Sequence, residues 1–176
     1  MVSDAKLRTL SLFSGIGGIE RGLKQTGITR TVCYVEIDPY AVGVLVKNMA
    51  KGYLDAAPVW DDVTTFGRTE LDRIGSIDLI AGGFPCQDIS VAGKGEGIVH
   101  GNRSGLFYEI IKTIRLAQPR YIFLENVPAL LARGMDTVLR ELSESGYDAT
   151  WQTLSAAEVG ANHKRERVWI LANSRH

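Results

Sequence analysis

Cysteine is nearly missing. The 176 residues include two, Cys33 and Cys86, too few for a disulfide framework and without the Cys-x-x-Cys or nearby-histidine spacing of a zinc site. A reducing, cytoplasmic setting is therefore expected, and no metal centre. A surplus of either charge is missing too. With 20 Lys+Arg against 20 Asp+Glu, no global basic excess is available to release counterions from a polyanion, so any nucleic-acid contact has to come from local patches. No apolar run approaches the ~18–20 residues of a membrane span, and residues 1–6 carry no signal-peptide pattern. No membrane partner is expected. Internal repeats, low-complexity stretches, Gly/Ser linkers and long charge blocks are also lacking. A single domain over residues 1–176 follows, 45% hydrophobic and long enough to bury a core.

What the sequence does contain is an alternation of short apolar runs with segments of helical period, the signature of βα units around a mostly parallel sheet. Strands are predicted at residues 9–13, 31–36, 58–61, 77–81, 121–125, 149–154 and 167–172. Residues 17–25 read as a helix stopped by Gly27. Asp38 and Pro39 supply an N-cap and a first-turn proline for a second helix, with Ala41, Val42, Leu45, Val46 and Met49 as its apolar face. Ser104 can cap a third, in which Leu106, Phe107, Ile110, Ile111 and Ile114 recur three and four apart before Pro119. A fourth runs from about Met135 to Gly146, a C′ glycine. The fold class is α/β with helices on both faces of the sheet. Residues 82–103 lack periodicity and hold six glycines, Gly82, Gly83, Gly93, Gly95, Gly97 and Gly101. So long a loop is usually functional, and it leaves the carboxyl end of a predicted strand, where open parallel sheets bind ligands.

Four local patterns can carry chemistry. The run Phe13-Ser14-Gly15-Ile16-Gly17-Gly18 joins the first strand to a helix, and Glu36 follows nineteen positions after Gly17 at the end of the next strand. Glycines there let the backbone approach a ligand, and such an acid accepts hydrogen bonds from ribose hydroxyls. The pattern alone leaves NAD, FAD, an adenosyl cofactor and a plain strand-to-helix turn all open. Cys86, between Pro85 and Gln87 at the mouth of the sheet, is either a nucleophile or a small buried hydrophobe. The second alternative suits Cys33, inside an apolar strand. Glu125 in Glu125-Asn126-Val127 ends a run whose apolar character reads as a central buried strand; it either faces the same crevice or caps a helix. Arg165 and Arg167 alternate onto one side of an extended segment, as a clamp for a phosphate or carbonyl oxygen or as a solvated basic run.

In this order along nearly the whole chain, the four patterns resemble the cytosine-5 DNA methyltransferase family. Residues 10–18 resemble its cofactor motif, Glu36-Ile37-Asp38 the second, Asp62-Val63 the third and residues 82–90 the nucleophile motif. Residues 101–109 resemble the fifth, Glu125-Asn126-Val127 the sixth and Arg165-Glu166-Arg167 the eighth. The resemblance implies a Rossmann-like fold and S-adenosyl-L-methionine as cofactor. Phe13 would lie against the adenine, with Gly15, Ile16, Gly17 and Gly18 near the methionine end. Glu36 and Ile37 would take the ribose side, Asp62 and Val63 the adenine amino edge, and Leu106 would line the same pocket. Pro85 and Cys86 would approach the base, Cys86 adding to carbon 6 while Glu125 donates to ring nitrogen 3. Arg165 would hold the base carbonyl and Arg167 order the loop. The substrate implied is double-stranded DNA with the target cytosine flipped out, and residues 92–102 are the candidate loop that closes over it.

Two departures stand out. His163 occupies a position where the family commonly has glutamine, and the chain ends nine residues past Arg167, without the target-recognition region and last motifs that follow in family members. The expectation is a catalytic core that needs a second segment or subunit for recognition, or that self-associates through an uncovered apolar face. A catalytically silent cofactor-binding remnant that regulates a partner methyltransferase is the alternative. A nicotinamide-dependent oxidoreductase accounts for the glycine turn and Glu36 but not for Cys86, Glu125 and the arginine pair.

Overall fold

The computed structural model describes residues 6–85 and 105–175. Seven strands, β1 (Leu7–Leu12), β2 (Thr29–Val35), β3 (Val59–Trp60), β4 (Leu79–Gly83), β5 (Tyr121–Asn126), β6 (Tyr147–Ser155) and β7 (Glu166–Ser174), form one sheet in the order β3-β2-β1-β4-β5-β7-β6. The pairs from β3 to β5 are parallel; β7 runs antiparallel to both β5 and β6. All seven predicted strands form, with ends shifted by a few residues. The reversal of strand order lies at β1 and β4, which places a crevice over their carboxyl ends.

Helix α1 (Gly18–Gln25) leaves β1 through Gly17, which caps it in the left-handed region at φ 87°. A Cβ at Gly17 would stand 2.5 Å from Leu54 and 3.0 Å from Leu45, so both backbone conformation and space select glycine. The second helix α2 (Pro39–Ala50) starts as its sequence predicts: the Asp38 carboxylate accepts from the Tyr40 and Ala41 amides, and Pro39 takes the first turn. Next come α3 (Arg68–Ile74), α4 (Gly105–Ala117), the single turn α5 (Leu130–Arg133) and α6 (Met135–Glu144), with Gly146 at φ 92° beyond the last. Ser104, the predicted cap of α4, lies outside the described residues. The apolar faces of α3, α4 and α6 meet Leu10, Leu12, Ile80, Ile122, Leu124, Val168 and Ile170 in one buried cluster. On the opposite face α2 closes a smaller cluster of Tyr34, Leu45 and Leu54, and α1 seats Glu20 against Ser11. Helices thus lie on both faces.

Two sequence expectations change. Gly82 and Gly83 belong to β4 rather than to the loop. A Cβ on Gly82 would stand 2.2 Å from the Leu12 carbonyl oxygen, so glycine here marks close approach of the backbones of β1 and β4. Strand β5 is central in the order but buried on one face only: Ile122, Leu124 and Asn126 are buried while Tyr121, Phe123 and Glu125 are half-buried. Among the described residues no helix covers that second face over β5 and β7, where Leu171 is 50% exposed. No helix among the described residues is long and apolar enough to cross a membrane.

Candidate active site

A cavity of about 830 Å³ opens above the carboxyl end of β1, between α1 and the half-covered face of β5 and β7. Its α1 side is built from the strand-to-helix turn. Phe13 adopts φ 54°, a left-handed conformation that costs energy in a bulky residue and clusters at ligand sites, and it lines the cavity while packing against the main core. Gly15 and Gly18 line the same wall with nothing within 4 Å of where a Cβ would stand, an open backbone cradle. Gly22, one turn further along α1, extends it. Glu36 fixes the turn: its Oε2 accepts from the Gly15 amide at 2.7 Å and its Oε1 from the Asp38 amide at 2.8 Å. A carboxylate has about four acceptor positions, so two remain for ligand hydroxyls. Ile16 and Ile37 are exposed beside it at 58% and 71%.

The other predicted adenosine contacts divide. The Asp62 carboxylate is spent in part on local structure: Oδ1 accepts from the Thr64 amide at 2.8 Å and hydroxyl at 2.7 Å, capping the turn Val63–Thr65, and these bonds hold its pKa below the ordinary carboxylate range. The Val63 side chain is buried at 5% in the main core, which leaves only backbone to meet a ligand at that position. Leu106 likewise packs against that core and is not among the residues lining the cavity.

Across the cavity stand Gly83, Phe123, Glu125, Arg165, Arg167 and Trp169. Glu125 and Arg167 form an ion pair the sequence did not reveal, Oε1 to Nε at 2.5 Å, with both side chains about one-fifth exposed. The antiparallel register explains it, because Glu125 faces Trp169 and its diagonal neighbour is Arg167. The second carboxylate oxygen lies over Gly83, where a Cβ would stand 2.8 Å away. Arg165 just precedes β7; its carbonyl accepts from the Ala156 amide, and the residue lines the cavity. Thus Arg165 and Arg167 do share one side, and both meet the crevice of Glu125. Exposed His163 does not line it.

Pro85 is exposed and is the last described residue before Cys86; Cys86 and residues 92–102 lie outside the described residues. The approach to Cys86 is nonetheless anchored. Asn126, 3% exposed, donates from Nδ2 to the Phe84 carbonyl at 3.1 Å and accepts the Val127 amide on Oδ1 at 2.8 Å, and the Phe84 ring packs on Phe107 at 5.2 Å. Cys33, by contrast, is buried at 3% and burial pushes its thiol up to about 11, the behaviour of an inert core cysteine. Two contributors escaped the sequence reading. The turn Ala156–Val159 closes one wall of the cavity, and Trp169 stacks on Phe123 at 5.2 Å and 15°; neither carries a motif.

A glycine turn held by an acid just past the next strand, with a second acid and two arginines across one crevice at the switch point of a 3-2-1-4-5-7-6 sheet, defines a ligand-binding α/β class of protein. The C-5 cytosine-specific DNA methylase family model matches residues 7–176, and the chain belongs to that family. It is 40% identical over 175 residues to Type II methyltransferase M2.BsuMI of Bacillus subtilis, covering 95% of this chain and 42% of that relative. To Type II methyltransferase M.CviJI of Paramecium bursaria Chlorella virus IL3A it is 37% identical over 166 residues, covering 94% and 42%. The crystal structure of the S. pombe Dnmt2 methyltransferase superposes with a TM-score of 0.77 at 25% identity, over 97% of this chain and 52% of that one. The chain therefore spans less than half the length of these two curated relatives.

Proposed function

We propose that this chain is the catalytic core of a DNA (cytosine-5-)-methyltransferase, acting in the cytoplasm on double-stranded DNA, with residues 1–176 as one catalytic unit. The observation that supports it best is the convergence of the Phe13–Gly18 turn, Gly83, Glu125, Arg165 and Arg167 on one cavity beside the segment that leads to Cys86. S-adenosyl-L-methionine, the methyl donor of the family, supplies an electrophilic methyl group when bound. The residues fit it: an open glycine backbone, an apolar wall with Phe13, and a Glu36 carboxylate with acceptor positions to spare. Asp62, whose Oδ2 is not used by the Thr64 bonds, would offer that oxygen to the adenine amino group.

On the substrate side, carbon 5 of cytosine is a weak nucleophile. The Cys86 thiolate adds to carbon 6, which turns the 5,6 double bond into a single bond and raises electron density at carbon 5; the methyl group would be accepted there as its bond to the donor sulfonium breaks and leaves a neutral thioether. Glu125, once protonated on the oxygen that Arg167 does not hold, supplies that proton or a hydrogen bond at ring nitrogen 3 to balance the charge that addition creates there. Arg165 holds the base carbonyl, and Arg167 keeps Glu125 aimed through the pair at 2.5 Å. A base then takes the carbon-5 proton, the double bond reforms and the thiolate leaves. The reacting edge is hidden in a duplex stack, so the nucleotide has to be flipped into the cavity.

Recognition of a DNA sequence requires a second segment or subunit in this reading, in keeping with the face of β5 and β7 that no helix among the described residues covers, where Leu171 is half exposed. The test is labelled-methyl transfer to unmethylated DNA with a complementing segment supplied. Transfer that Cys86→Ser abolishes is the expected result. Unchanged transfer in that variant overturns the mechanism, and cofactor binding without transfer identifies a silent regulatory remnant.

A further inference from the structure

Glu20 is an acid that the proposed chemistry does not use. It sits in the first turn of α1, where Arg21 and Gln25 are exposed, yet it is itself 2% exposed. Its Oε1 lies 2.6 Å from Ser11 Oγ, Ser11 Oγ lies 2.6 Å from Ser14 Oγ, and Ser14 Oγ lies 3.3 Å from both the carbonyl oxygen and the amide nitrogen of Val35. Its Oε2 is buried with no hydrogen-bond partner. Ionised, such a carboxylate keeps the Ser11 hydroxyl on Oε1 and its own backbone amide, but its second oxygen stays desolvated and unpaired, which leaves the charge only partly compensated. Neutral, its O–H donates to Ser11, Ser11 donates to Ser14 and Ser14 donates to the Val35 carbonyl, so each hydroxyl both donates and accepts. The end of this relay, Ser14, immediately precedes Gly15, whose amide is held by Glu36.

We propose that Glu20 is a positioning residue for the glycine turn, an acid whose O–H drives the Ser11–Ser14–Val35 relay and so fixes Ser14 and Gly15 against the end of β2. Burial pushes its pKa above the ordinary carboxylate value, and the Ser11 hydroxyl offsets this only in part. Ionisation reverses the relay: Ser11 then donates to the carboxylate, Ser14 to Ser11, and the Val35 carbonyl keeps the Ser14 amide at 3.1 Å but loses the Ser14 hydroxyl, so the turn shifts rather than detaches. Few other charges bear on the group. From β2 it faces Tyr34, whose own hydroxyl burial pushes up to about 12. On α1, Lys24 pairs with Asp55 at 3.3 Å and Arg21 lies 4.9 Å over the Tyr53 ring. Arg8 of β1 is engaged at the far end by the Ser76 and Ile74 carbonyls, and on β4 the positions of this face are Leu79 and Ala81.

The consequence for cofactor affinity rests on the function proposed above; the relay does not, and the test separates them. In the ligand-free chain labelled at glutamate carboxyl carbons, the Glu20 resonance is expected in its neutral position at neutral pH. It should titrate at higher pH together with the Ser14 and Gly15 amides. Glu20→Gln, which keeps a donor, should hold those amides in place at every pH. Glu20→Leu should displace them and weaken S-adenosylmethionine binding about tenfold by calorimetry, whereas Glu20→Gln stays within about twofold. The sign on stability follows: an acid whose folded pKa is raised stabilises fully below about 4.5 and loses that contribution as pH rises towards its folded value, a slope that Glu20→Gln removes. An ionised Glu20 at neutral pH, or Ser14 and Gly15 amides blind to its titration, overturns the proposal. Should no version bind the cofactor, the reading of the cavity fails while the amide titrations still decide the role of Glu20. Should Glu20→Leu not fold, the wild type and Glu20→Gln decide it.

Discussion

The two halves of the sheet's cavity face are finished to different degrees. Over β2 and β1 that face is sealed: Tyr34, Leu45 and Leu54 are at most 2% exposed, and Ser11, Ser14 and Glu20 form a buried hydroxyl relay beneath the glycine turn. Over β5 and β7 it carries the stacked rings of Phe123 and Trp169, a Leu171 that is 50% exposed and a Glu125–Arg167 pair open to the cavity. One half is preorganised around backbone and a fixed turn, as a site for a constant ligand requires. The other presents apolar surface and paired charges, which in the function proposed above meet a base brought in from outside.

The largest test of that contrast is stability at the sealed half. Leu45 is 0% exposed and packs against Gly17, 3.0 Å from where a Cβ would stand. Leu45→Ala is expected to cost ~3 kcal/mol by urea unfolding, through lost transfer energy plus the cavity left behind, and to loosen the glycine turn with it. A loss below ~1 kcal/mol would show that α2 relaxes into the space and that the half is not rigid.

An intermediate effect is expected at the boundary. Arg167→Met leaves Glu125 without its partner in a site about one-fifth exposed, and a cost of ~1–2 kcal/mol follows for so partly buried a pair. Glu125→Gln leaves the arginine similarly uncompensated, and the double variant should recover part of the sum. On transfer, Glu125→Gln is expected to lower the rate by about 10²–10⁴-fold, as for loss of a positioned acid. Simple additivity in the cycle would mean that the pair at 2.5 Å contributes nothing to holding Glu125.

These sites also show what sequence can and cannot carry. Strands were legible as short apolar runs and the longer helices because apolar residues recur three to four apart, and the caps at Asp38 and Gly146 are local chemistry. Helix α3 was not, since its seven residues turn only Leu71 and Ile74 to the core, too short a stretch for a period to appear. Gly82 and Gly83 read as loop because glycine is the common sign of one; the close approach of Leu12 that requires Gly82 is a property of two strands, not of either alone. The conjunction of Phe13–Gly18, Glu36, Glu125, Arg165 and Arg167 was legible as a motif order, whereas the Glu125–Arg167 pair depends on an antiparallel register that no local pattern encodes. Glu20 was invisible for the opposite reason: a glutamate on a short helix reads as solvated, and only the packing of α1 on β1 buries it.

The smallest effect on folding is expected at the open half. Leu171 pairs with Phe123 across β5 and β7, yet half its surface is in water, so Leu171→Thr removes little buried area and suits a strand. A change within ~0.5 kcal/mol is expected in urea unfolding, against the large loss at Leu45. The effect should fall on association instead. If the face over Phe123, Trp169 and Leu171 is where a second copy or a complementing segment rests, the variant lowers the weight-average mass in sedimentation, or weakens complementation, at unchanged stability. Unaltered mass and complementation would remove this face from the proposed contact, and a stability loss like that of Leu45→Ala would mean that the face is covered within the chain itself.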